Sequence, residues 1–383
     1  MIVDVRIVVS FVGGGGHAEP LLPIAELARG LGHQVTFAGQ SGVLERLRAR
    51  SFETEVVGPD TLATEARPLV PANRLGEQHV IRDHFVLRYG SSRADSLGAL
   101  YDRHPPDLVV CDEVDVGCVV AAELRSIPCV TVAVLSAGLL MSPDVVAPAW
   151  ELLRKSVRLQ PDPSGLQVNG RLKIAAFPRS MRSPRVPVPE SMRIVRPPIL
   201  DQVVPLTGKW GRPLVYATLG TVFNLESGDL LVRIMHAMNA LSVTSDLDVV
   251  ITTGPGFDSA RLPAPQPGVR VAEFVPHREL LVRCRAVVSH AGSGTLTAAL
   301  SLGIPVVTLP IGADQPDNAD RCRDLGVGIT LDALRASPAD IAGSTEEVLG
   351  NVDFRKAALQ LAGEAASQPP LNGVPELRDL LLG

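Results

Sequence analysis

The sequence is poor in cysteine and in aromatic residues, and it has no excess of positive charge. Its five cysteines are an odd number and show no C-x-x-C spacing, so neither a disulfide framework nor a zinc site is indicated. Phenylalanine, tryptophan and tyrosine make up 4% of the chain. The 36 basic and 41 acidic side chains give a formal charge of −5. Whole-chain charge therefore gives no reason to expect nucleic acid or an anionic membrane as a partner.

The sequence also shows no targeting or membrane signal. The first 12 residues carry Asp4 and Arg6 within an apolar run, which is not the order of a signal peptide. The apolar stretch at 129–143 is shorter than the roughly 18 residues that a membrane-spanning helix needs. We therefore expect a cytoplasmic protein without a membrane span. A chain of 383 residues buries its cores without help, so its oligomeric state, including a homodimer, stays open.

Short β-branched segments alternate with longer helical patterns along the chain. Strand, helix, strand order with glycine at the joints favours parallel strands with crossover helices. The sequence therefore predicts an α/β protein of two doubly wound domains that face a shared cleft, where ligands bind at the carboxyl ends of strands. The clearest predicted strands lie at 6–11, 34–38, 108–111, 130–135, 214–218, 247–252, 286–289 and 306–309.

Residues 161–198 differ in composition from the rest of the chain. They are rich in proline, and from residue 171 onward they hold seven basic side chains against one acidic side chain, Glu190. We expect a solvated connector here, with an anion-binding basic patch as the alternative. The predicted domains are then 1–198 and 199–383, and the last helix is expected to be able to pack back on the first domain.

The turn after the first strand contains four glycines followed by His17 and Pro20. Glycine lets the backbone approach a ligand closely, and Pro20 favours a helix start. His17 is therefore expected to project into the cleft, where a neutral imidazole can accept a proton. Asp112 directly follows the predicted strand at 108–111, so it can orient that imidazole. The alternative is that Asp112 caps the next helix.

The same turn also matches the dinucleotide pattern G-x-G-x-x-A. A dinucleotide site needs an acidic residue at the end of the second strand to bind the ribose hydroxyls. That strand ends on Gly39 and Gln40 instead, which argues against a nicotinamide or flavin cofactor.

The strongest motif of the second half is the segment 289–295, S-H-A-G-S-G-T, followed by a helical pattern. A strand that runs into small residues and a helix start presents free backbone N–H groups to an anion such as a diphosphate. It is neither a Walker loop nor a nucleophile elbow. At 314–318, a carboxylate and two amides at another strand end suit a polyhydroxylated ligand. Asp246 and Asp248 form a D-x-D pair, which we expect to be surface acids rather than metal ligands.

Five motifs follow one another along the chain: G-H-x-x-P at 16–20, T-L-G-T at 218–221, F-V-P-H at 274–277, H-A-G-S-G-T at 290–295 and D-Q-x-x-N at 314–318. Together they resemble the nucleotide-sugar-dependent glycosyltransferases of GT-B fold, relatives of the UDP-glycosyltransferase superfamily. The resemblance is to the bacterial members that glycosylate antibiotics and other natural products. It implies two Rossmann-like domains, the first binding the acceptor and the second binding the nucleotide sugar.

The resemblance also implies roles for individual residues. Transfer of a hexose-type sugar to a hydrophobic small molecule would be inverting and metal-independent, with no cofactor, His17 as general base and Asp112 as its partner. Donor binding would involve Gly16, Thr218, Gly220, Thr221, Val275, Pro276, His290, Gly292, Ser293, Gly294, Thr295, Asp314, Gln315 and Asn318.

The donor nucleotide and the acceptor are less constrained. Ala298 stands where the resemblance to plant members leads one to expect a glutamate that holds both ribose hydroxyls, so we predict a dTDP-sugar rather than a UDP-sugar. The low aromatic content favours an aliphatic acceptor pocket. Ordinary core packing is the alternative for each of its candidate lining residues, Phe85, Tyr89, Met141 and Trp150.

Two other functions are compatible with the same fold. One is a nucleotide-sugar 2-epimerase or hydrolase, and the other is a non-catalytic helper protein that binds nucleotide sugars. The G-H-x-x-P turn paired with Asp112 argues against the first, and the intact catalytic and donor motifs argue against the second.

Overall fold

The computed structural model describes residues 5–59, 66–186, 188–201 and 212–382. Two parallel sheets form the frame of the protein. The strands of the first are β1 (Arg6–Ser10), β2 (Gln34–Gly39), β3 (Glu53–Val56), β4 (Leu108–Asp112), β5 (Cys129–Ala133), β6 (Leu172–Ala175) and β7 (Met192–Ile194). The strands of the second are β8 (Leu214–Thr218), β9 (Asp248–Thr252), β10 (Val269–Ala272), β11 (Cys284–Ser289), β12 (Val306–Thr308) and β13 (Gly328–Thr330).

Helices cover both faces of each sheet. Those of the first half are α1 (Gly15–Ala18), α2 (Leu22–Gly30), α3 (Ser41–Arg48), α4 (Arg74–His79), α5 (Gly90–Arg103), α6 (Val116–Glu123) and α7 (Pro143–Ser156). A π-helical segment, Val80–Tyr89, joins α4 to α5. Those of the second half are α8 (Leu230–Thr244), α9 (His277–Leu280), α10 (Ser293–Ser301), α11 (Gln315–Asp324), α12 (Pro338–Gly350), α13 (Val352–Ser367) and α14 (Pro375–Leu382).

The strand order is β3-β2-β1-β4-β5-β6-β7 in the first sheet and β10-β9-β8-β11-β12-β13 in the second. Winding reverses beside β1 and beside β8, so the loops after β1 and β4 meet at one crevice and the loops after β8 and β11 at another. The loops after β1, β8 and β11 carry three of the predicted motifs, Asp112 ends β4, and the motifs at 274–277 and 314–318 follow β10 and β12. The prediction of two doubly wound α/β domains is confirmed.

Central strands are apolar because helices bury both of their faces. Every residue of β4 and β5 is buried. The C-terminal helix α14 returns to the first domain, where Leu377 and Leu381 join the core built around β1 and β2. No helix in the described part of the chain is long and apolar enough to cross a membrane.

The expectation of a solvated connector at 161–198 is wrong for most of that segment. It contains β6 and β7, which extend the first sheet, and all four residues of β6 are buried. Lys173 of β6 is buried because its ammonium lies 2.6 Å from the carboxylate of Glu113. Composition suggested solvent exposure, but the ion pair with Glu113, distant in sequence, allows Lys173 to pack inside the sheet.

Candidate active site

His17 and Asp112 meet at the crevice of the first sheet. His17 lies in α1, directly after β1, and Asp112 is the last residue of β4, the neighbouring strand. His17 Nδ1 lies 3.2 Å from Asp112 Oδ1, and the carboxylate is completely buried whereas the imidazole is 25% exposed. The exposed part of the ring leaves Nε2 as the atom that can act on a ligand, because Nδ1 is engaged by the carboxylate.

The carboxylate of Asp112 is held by the backbone. Its Oδ2 accepts the N–H of Val12, and its Oδ1 accepts the N–H of Val114, both at 2.8 Å. The cap of α6 is a different residue, Asp115, whose side chain accepts from the N–H of Cys118. The helix-cap alternative for Asp112 is therefore not what the structure shows.

The electrostatic surroundings of His17 favour its protonated form. Burial lowers the pKa of His17, but the carboxylates of Asp112, Asp314 and Glu113 outweigh it and raise the pKa above the ordinary 6.5. Asp314 belongs to the second domain, so a charge on the opposite side of the cleft contributes to the raised pKa of His17. A histidine with a raised pKa and a fixed tautomer is suited to accept a proton.

Gly13 and Arg93 shape the surroundings of this pair. A Cβ on Gly13 would lie 3.1 Å from the His17 ring, and the φ of +76° also favours glycine there. Arg93, buried in α5, donates two hydrogen bonds to Asp115, at 2.8 and 2.7 Å, and one to Ser10. Sequence reasoning missed Arg93, because no local pattern marks a helix residue that pairs with the N-cap acid of another helix.

The second crevice presents a helix N-terminus. Gly292 is the N-cap of α10, with no side-chain cap, so backbone N–H groups of the first turn remain available to an anion. Gly294 is exposed, and a Cβ added to it would meet no atom within 4 Å. Thr295 is buried in the same turn, and Gly16 across the cleft is exposed with open space around it.

His290 packs tightly between two glycines. A Cβ would lie 2.8 Å from its ring at Gly220 and 2.5 Å at Gly292. Its Nδ1 is buried without a hydrogen-bond partner, and burial lowers the pKa of His290 to about 4. The ring is therefore neutral near pH 7 and can offer a ligand a neutral hydrogen bond but no positive charge.

Thr218 and Thr221 differ in what their hydroxyls can reach. Thr218 is buried, and its hydroxyl accepts hydrogen bonds from Thr252 Oγ1 at 2.8 Å and from Gly220 N–H at 3.1 Å. Thr218 therefore holds the turn instead of facing a ligand as expected. Thr221 is half-buried, and a Cβ on Gly15 of the first domain would lie 3.9 Å from its hydroxyl. Thr221 thus lies at the cleft.

The polar strand end at 314–318 is largely occupied by its own hydrogen bonds. Asp314 Oδ2 accepts from Ser293 Oγ at 2.6 Å and from Asn318 Nδ2 at 2.7 Å, and burial raises the pKa of Asp314. Gln315 is buried, and its side-chain oxygen accepts the N–H groups of Ile311 and Gly312.

Asn318 does not face the cleft as a donor-binding residue. It is completely buried, and its side-chain nitrogen donates to Ala291 O, Ser293 Oγ and Asp314 Oδ2. Its role is to position the acid and the serine. The motif could not show this, because a side-chain amide can form hydrogen bonds either with a ligand or with the loops around it.

Val275 and Pro276 are half-buried between β10 and α9. His277 follows them and makes an edge-on contact with the ring of Tyr216, with centroids 5.9 Å apart. Burial lowers the pKa of His277 to about 4. This rigid corner forms one side of the second crevice.

Two of the four candidate acceptor residues line a cavity beside the glycine-rich turn that precedes His17. Phe85 and Tyr89 lie on the π-helical segment, with ring centroids 5.9 Å apart, and line a cavity together with Gly13 and Arg93. Gly13 places this cavity near His17, since a Cβ on Gly13 would lie 3.1 Å from the imidazole ring.

The other two candidates lie elsewhere. Trp150 is fully buried in the core, and its indole N–H donates to Asp162 at 2.9 Å. Met141 is also buried in that core and lines a different cavity, which includes Asn169 and Arg182. Core packing, the alternative interpretation, is the correct one for Trp150, and Met141 does not line the cavity beside His17.

The segment around α4 extends from the first domain onto the second. Arg74 Nη2 donates to Pro316 O at 3.0 Å, and the same guanidinium pairs with Asp317 and Asp320 of α11. The carboxylate of Glu77 lies against Gly312, and its hydrogen bond with Ala313 opposes the rise in the pKa of Glu77 that burial causes. Sequence reasoning missed these contacts, which join parts of the chain some 240 residues apart.

Metal-binding groups are not assembled anywhere among the described residues. Asp246 lies 2.9 Å from Arg212 Nε, and Asp248 lies 4.0 Å from the same atom. A D-x-D pair neutralised by an arginine at the start of β9 agrees with the expectation of surface acids.

Two Rossmann-like domains whose strand ends face each other across a cleft define the GT-B class of fold. Comparison with known proteins specifies the class further. Residues 236–380 match the family described as "Erythromycin biosynthesis protein CIII-like, C-terminal domain". The chain is 28% identical to 4'-demethylrebeccamycin synthase of Lentzea aerocolonigenes over 99% of both chains.

Two further relatives agree. Tylactone mycaminosyltransferase of Streptomyces fradiae is 26% identical over 98% of this chain and 92% of its own. The solved structure of spinosyn rhamnosyltransferase complexed with thymidine diphosphate has a TM-score of 0.76 at 21% identity, covering 95% of this chain and 97% of that one. Over nearly its whole length the chain is similar to glycosyltransferases of natural-product biosynthesis, and it shares the GT-B fold.

Proposed function

We propose that this protein transfers a sugar from a dTDP-sugar to a hydroxyl group of a hydrophobic small molecule, with inversion at the anomeric carbon. The observation that carries the proposal is the His17–Asp112 pair at 3.2 Å. It lies beside an apolar cavity, and the charge of Asp314 in the opposite domain acts on it. In this proposal the base, the acceptor and the donor-binding residues share one cleft.

The proposed reaction is a single displacement. His17 Nε2 takes the proton of the acceptor hydroxyl while the oxygen attacks the anomeric carbon. The bond from that carbon to the diphosphate oxygen breaks, and the nucleoside diphosphate leaves with the electron pair. Attack opposite the leaving group inverts the configuration. Asp112 stabilises the imidazolium that forms, as a buried carboxylate does in other acid–base pairs.

Stabilisation of the leaving diphosphate is assigned to the start of α10. Its free N–H groups and the positive end of the helix dipole favour negative charge. Gly292, Ser293, Gly294 and Thr295 form this turn, and His290 adds a neutral donor beside it. This arrangement supplies the electrostatic stabilisation without a metal ion, so we propose a metal-independent reaction.

The remaining donor contacts are assigned by position. Thr221, whose hydroxyl lies near Gly15, and the exposed Gly16 would approach the diphosphate from the two domains. Val275 and Pro276 would flank the nucleobase. Asp314, with Gln315 behind it, would receive the sugar hydroxyls.

A thymidine nucleotide is favoured for two reasons. Ala298 offers no carboxylate for a ribose 2′-hydroxyl, which deoxyribose lacks. The spinosyn rhamnosyltransferase, similar over nearly the whole chain, was solved as a complex with thymidine diphosphate. A hydrophobic aglycone is favoured because the cavity beside Gly13 includes Phe85 and Tyr89.

Isothermal titration with dTDP, UDP and NAD, each with and without EDTA, tests the donor site. We expect dTDP to bind more tightly than UDP, unchanged by EDTA, and NAD not to bind. Equal binding of UDP and dTDP would contradict the thymidine assignment. Binding of NAD alone would indicate that the glycine-rich turn is a dinucleotide-binding site.

Turnover tests the chemistry. dTDP-sugars are incubated with a panel of hydrophobic aglycones, and the anomeric configuration of the product is read by NMR. We expect a product of configuration opposite to the donor. Donor breakdown with every aglycone left unmodified, at a rate that His17→Ala does not lower, would favour a hydrolase or epimerase instead.

A further inference from the structure

Ser136 connects the two domains at the donor site. It follows β5 at the carboxyl edge of the first sheet and is completely buried. Its backbone N–H donates to Ser293 Oγ at 2.8 Å, and its hydroxyl donates to Asn318 Oδ1 at 2.9 Å. The N–H of Ala137 reaches the same Asn318 oxygen at 3.1 Å. Three hydrogen bonds from one loop of the first domain therefore end on two residues of the second.

Those two residues are the ones that hold Asp314. Ser293 Oγ and Asn318 Nδ2 both donate to Asp314 Oδ2. Ser293 Oγ also accepts from Asn318 Nδ2 at 3.1 Å. The carboxylate is thus connected to Ser136 through a single intervening side chain on either route.

The described hydrogen bonds of the Ser136 hydroxyl include none to a residue of its own domain. The N-cap of α7 is Ser142, not Ser136. Both side-chain contacts of Ser136, with Asn318 and with Ser293 Oγ at 3.0 Å, cross the cleft. Because this buried hydroxyl contacts only residues of the second domain, it stabilises the position of one domain relative to the other and not the core of its own domain.

We propose that Ser136 is a positioning residue that sets Asp314, and with it the donor sugar, relative to His17 when the cleft is closed. The inference rests on the proposed function. The base lies in the first domain and the sugar-binding acid in the second, so their alignment depends on the contact between domains. Displacement reactions lose rate steeply when the reacting groups are misplaced by a fraction of an ångström.

Apart from Gly16, every residue assigned to the nucleotide in the proposed arrangement lies in the second domain. Loss of the Ser136 hydroxyl should therefore leave dTDP binding intact and lower the rate of transfer. If Ser136 were needed for the fold, its substitution would instead lower dTDP affinity, the rate of transfer and the melting temperature together.

The test compares Ser136→Ala, Ser136→Thr and the control Ser142→Ala, a buried serine of the same loop whose hydroxyl has no cap bond. Each variant is measured for dTDP affinity by titration, for melting temperature, and for kcat and KM of sugar transfer in the assay above. Loss of one hydrogen bond at the reacting geometry corresponds to about a tenfold change.

We expect Ser136→Ala to lower kcat about tenfold, with dTDP affinity and melting temperature close to those of the parent protein. Ser136→Thr, which keeps the hydroxyl, should recover most of the rate, and Ser142→Ala should match the parent. A Ser136→Ala variant with parental kcat would overturn the inference, as would a loss of dTDP affinity equal to the loss of rate. A parent protein that transfers no sugar and binds no dTDP would overturn the proposed function and this inference with it.

Discussion

His17 Nδ1 lies 3.2 Å from Asp112 Oδ1, and backbone N–H groups on both sides of the carboxylate hold it in place. His17, in α1 after β1, and Asp112, at the end of the neighbouring strand β4, are 95 residues apart in the chain. The imidazole is thereby fixed in orientation, with its other nitrogen turned toward the cleft. This relationship leads to predictions on rate, pH dependence and stability.

Replacement of His17 by alanine removes the proposed base. We expect turnover to fall by roughly 10² to 10⁴, because the acceptor hydroxyl then loses its proton acceptor. Binding of dTDP should change little, since the diphosphate is assigned to the other domain. Steady-state kinetics and titration measure the two effects. If dTDP affinity fell together with turnover, His17 would be a donor-side residue.

Replacement of Asp112 by asparagine should alter the pH profile as well as the rate. Only neutral His17 can accept a proton, so kcat/KM should rise with pH through the pKa of His17, which lies above 6.5 in the parent protein. Asparagine removes the nearest carboxylate that raises this pKa. The midpoint of the profile should therefore move to lower pH while the maximum rate falls. A midpoint that moves upward would contradict the assigned partner.

The stability of the protein should depend on pH through His290. Burial lowers the pKa of His290 to about 4 in the folded chain, so the unfolded chain binds more protons between about pH 6.5 and pH 4. Its contribution is present above pH 6.5 and is lost as the pH falls, by about 3 kcal/mol at pH 4. His290→Gln should flatten this part of the curve measured by urea unfolding. An unchanged slope would show that His290 is protonated in the folded protein.

The ion pair of Lys173 and Glu113 predicts a cost for removing one partner. Lys173→Met leaves the carboxylate of Glu113 buried and unpaired, which should cost about 3 to 5 kcal/mol of unfolding free energy. Glu113→Gln in the same chain removes that charge but keeps an oxygen for the N–H groups of Val134 and Leu135, which Glu113 binds at 2.9 Å. The double variant should recover most of the loss in chemical denaturation. Parental stability of Lys173→Met would mean that the ammonium contributes nothing.

Much of the fold can be predicted from the sequence. The predicted strand at 214–218 has the bounds that the structure has, and most others differ by one or two residues at an end. These strands lie in apolar runs because both faces of a parallel sheet are covered. The prediction for the segment 161–198 is wrong for the converse reason. Its proline and arginine content is typical of a linker. Local composition does not reveal that Lys173 forms an ion pair with Glu113 inside the sheet.

The candidate site is predictable in part. Glycine-rich strand ends indicate where ligands bind, since that rule depends only on local sequence and on parallel topology. The roles within each motif are not predictable. Thr218 and Asn318 hold loops and Trp150 belongs to the core. Ser136, three residues beyond the end of β5, carries no motif.

The sequence by itself determined that two parallel α/β domains form, and that their strand ends carry His17, Asp112 and the polar turns. Periodicity, glycine placement and strand-end position are local properties, so no partner was needed to see them. Only the tertiary structure decided which hydroxyl, amide or carboxyl group is free to bind a ligand and which is hydrogen-bonded to a neighbouring residue. That choice depends on hydrogen-bond partners far away in the chain, because each buried polar group must be satisfied wherever the fold brings a partner close.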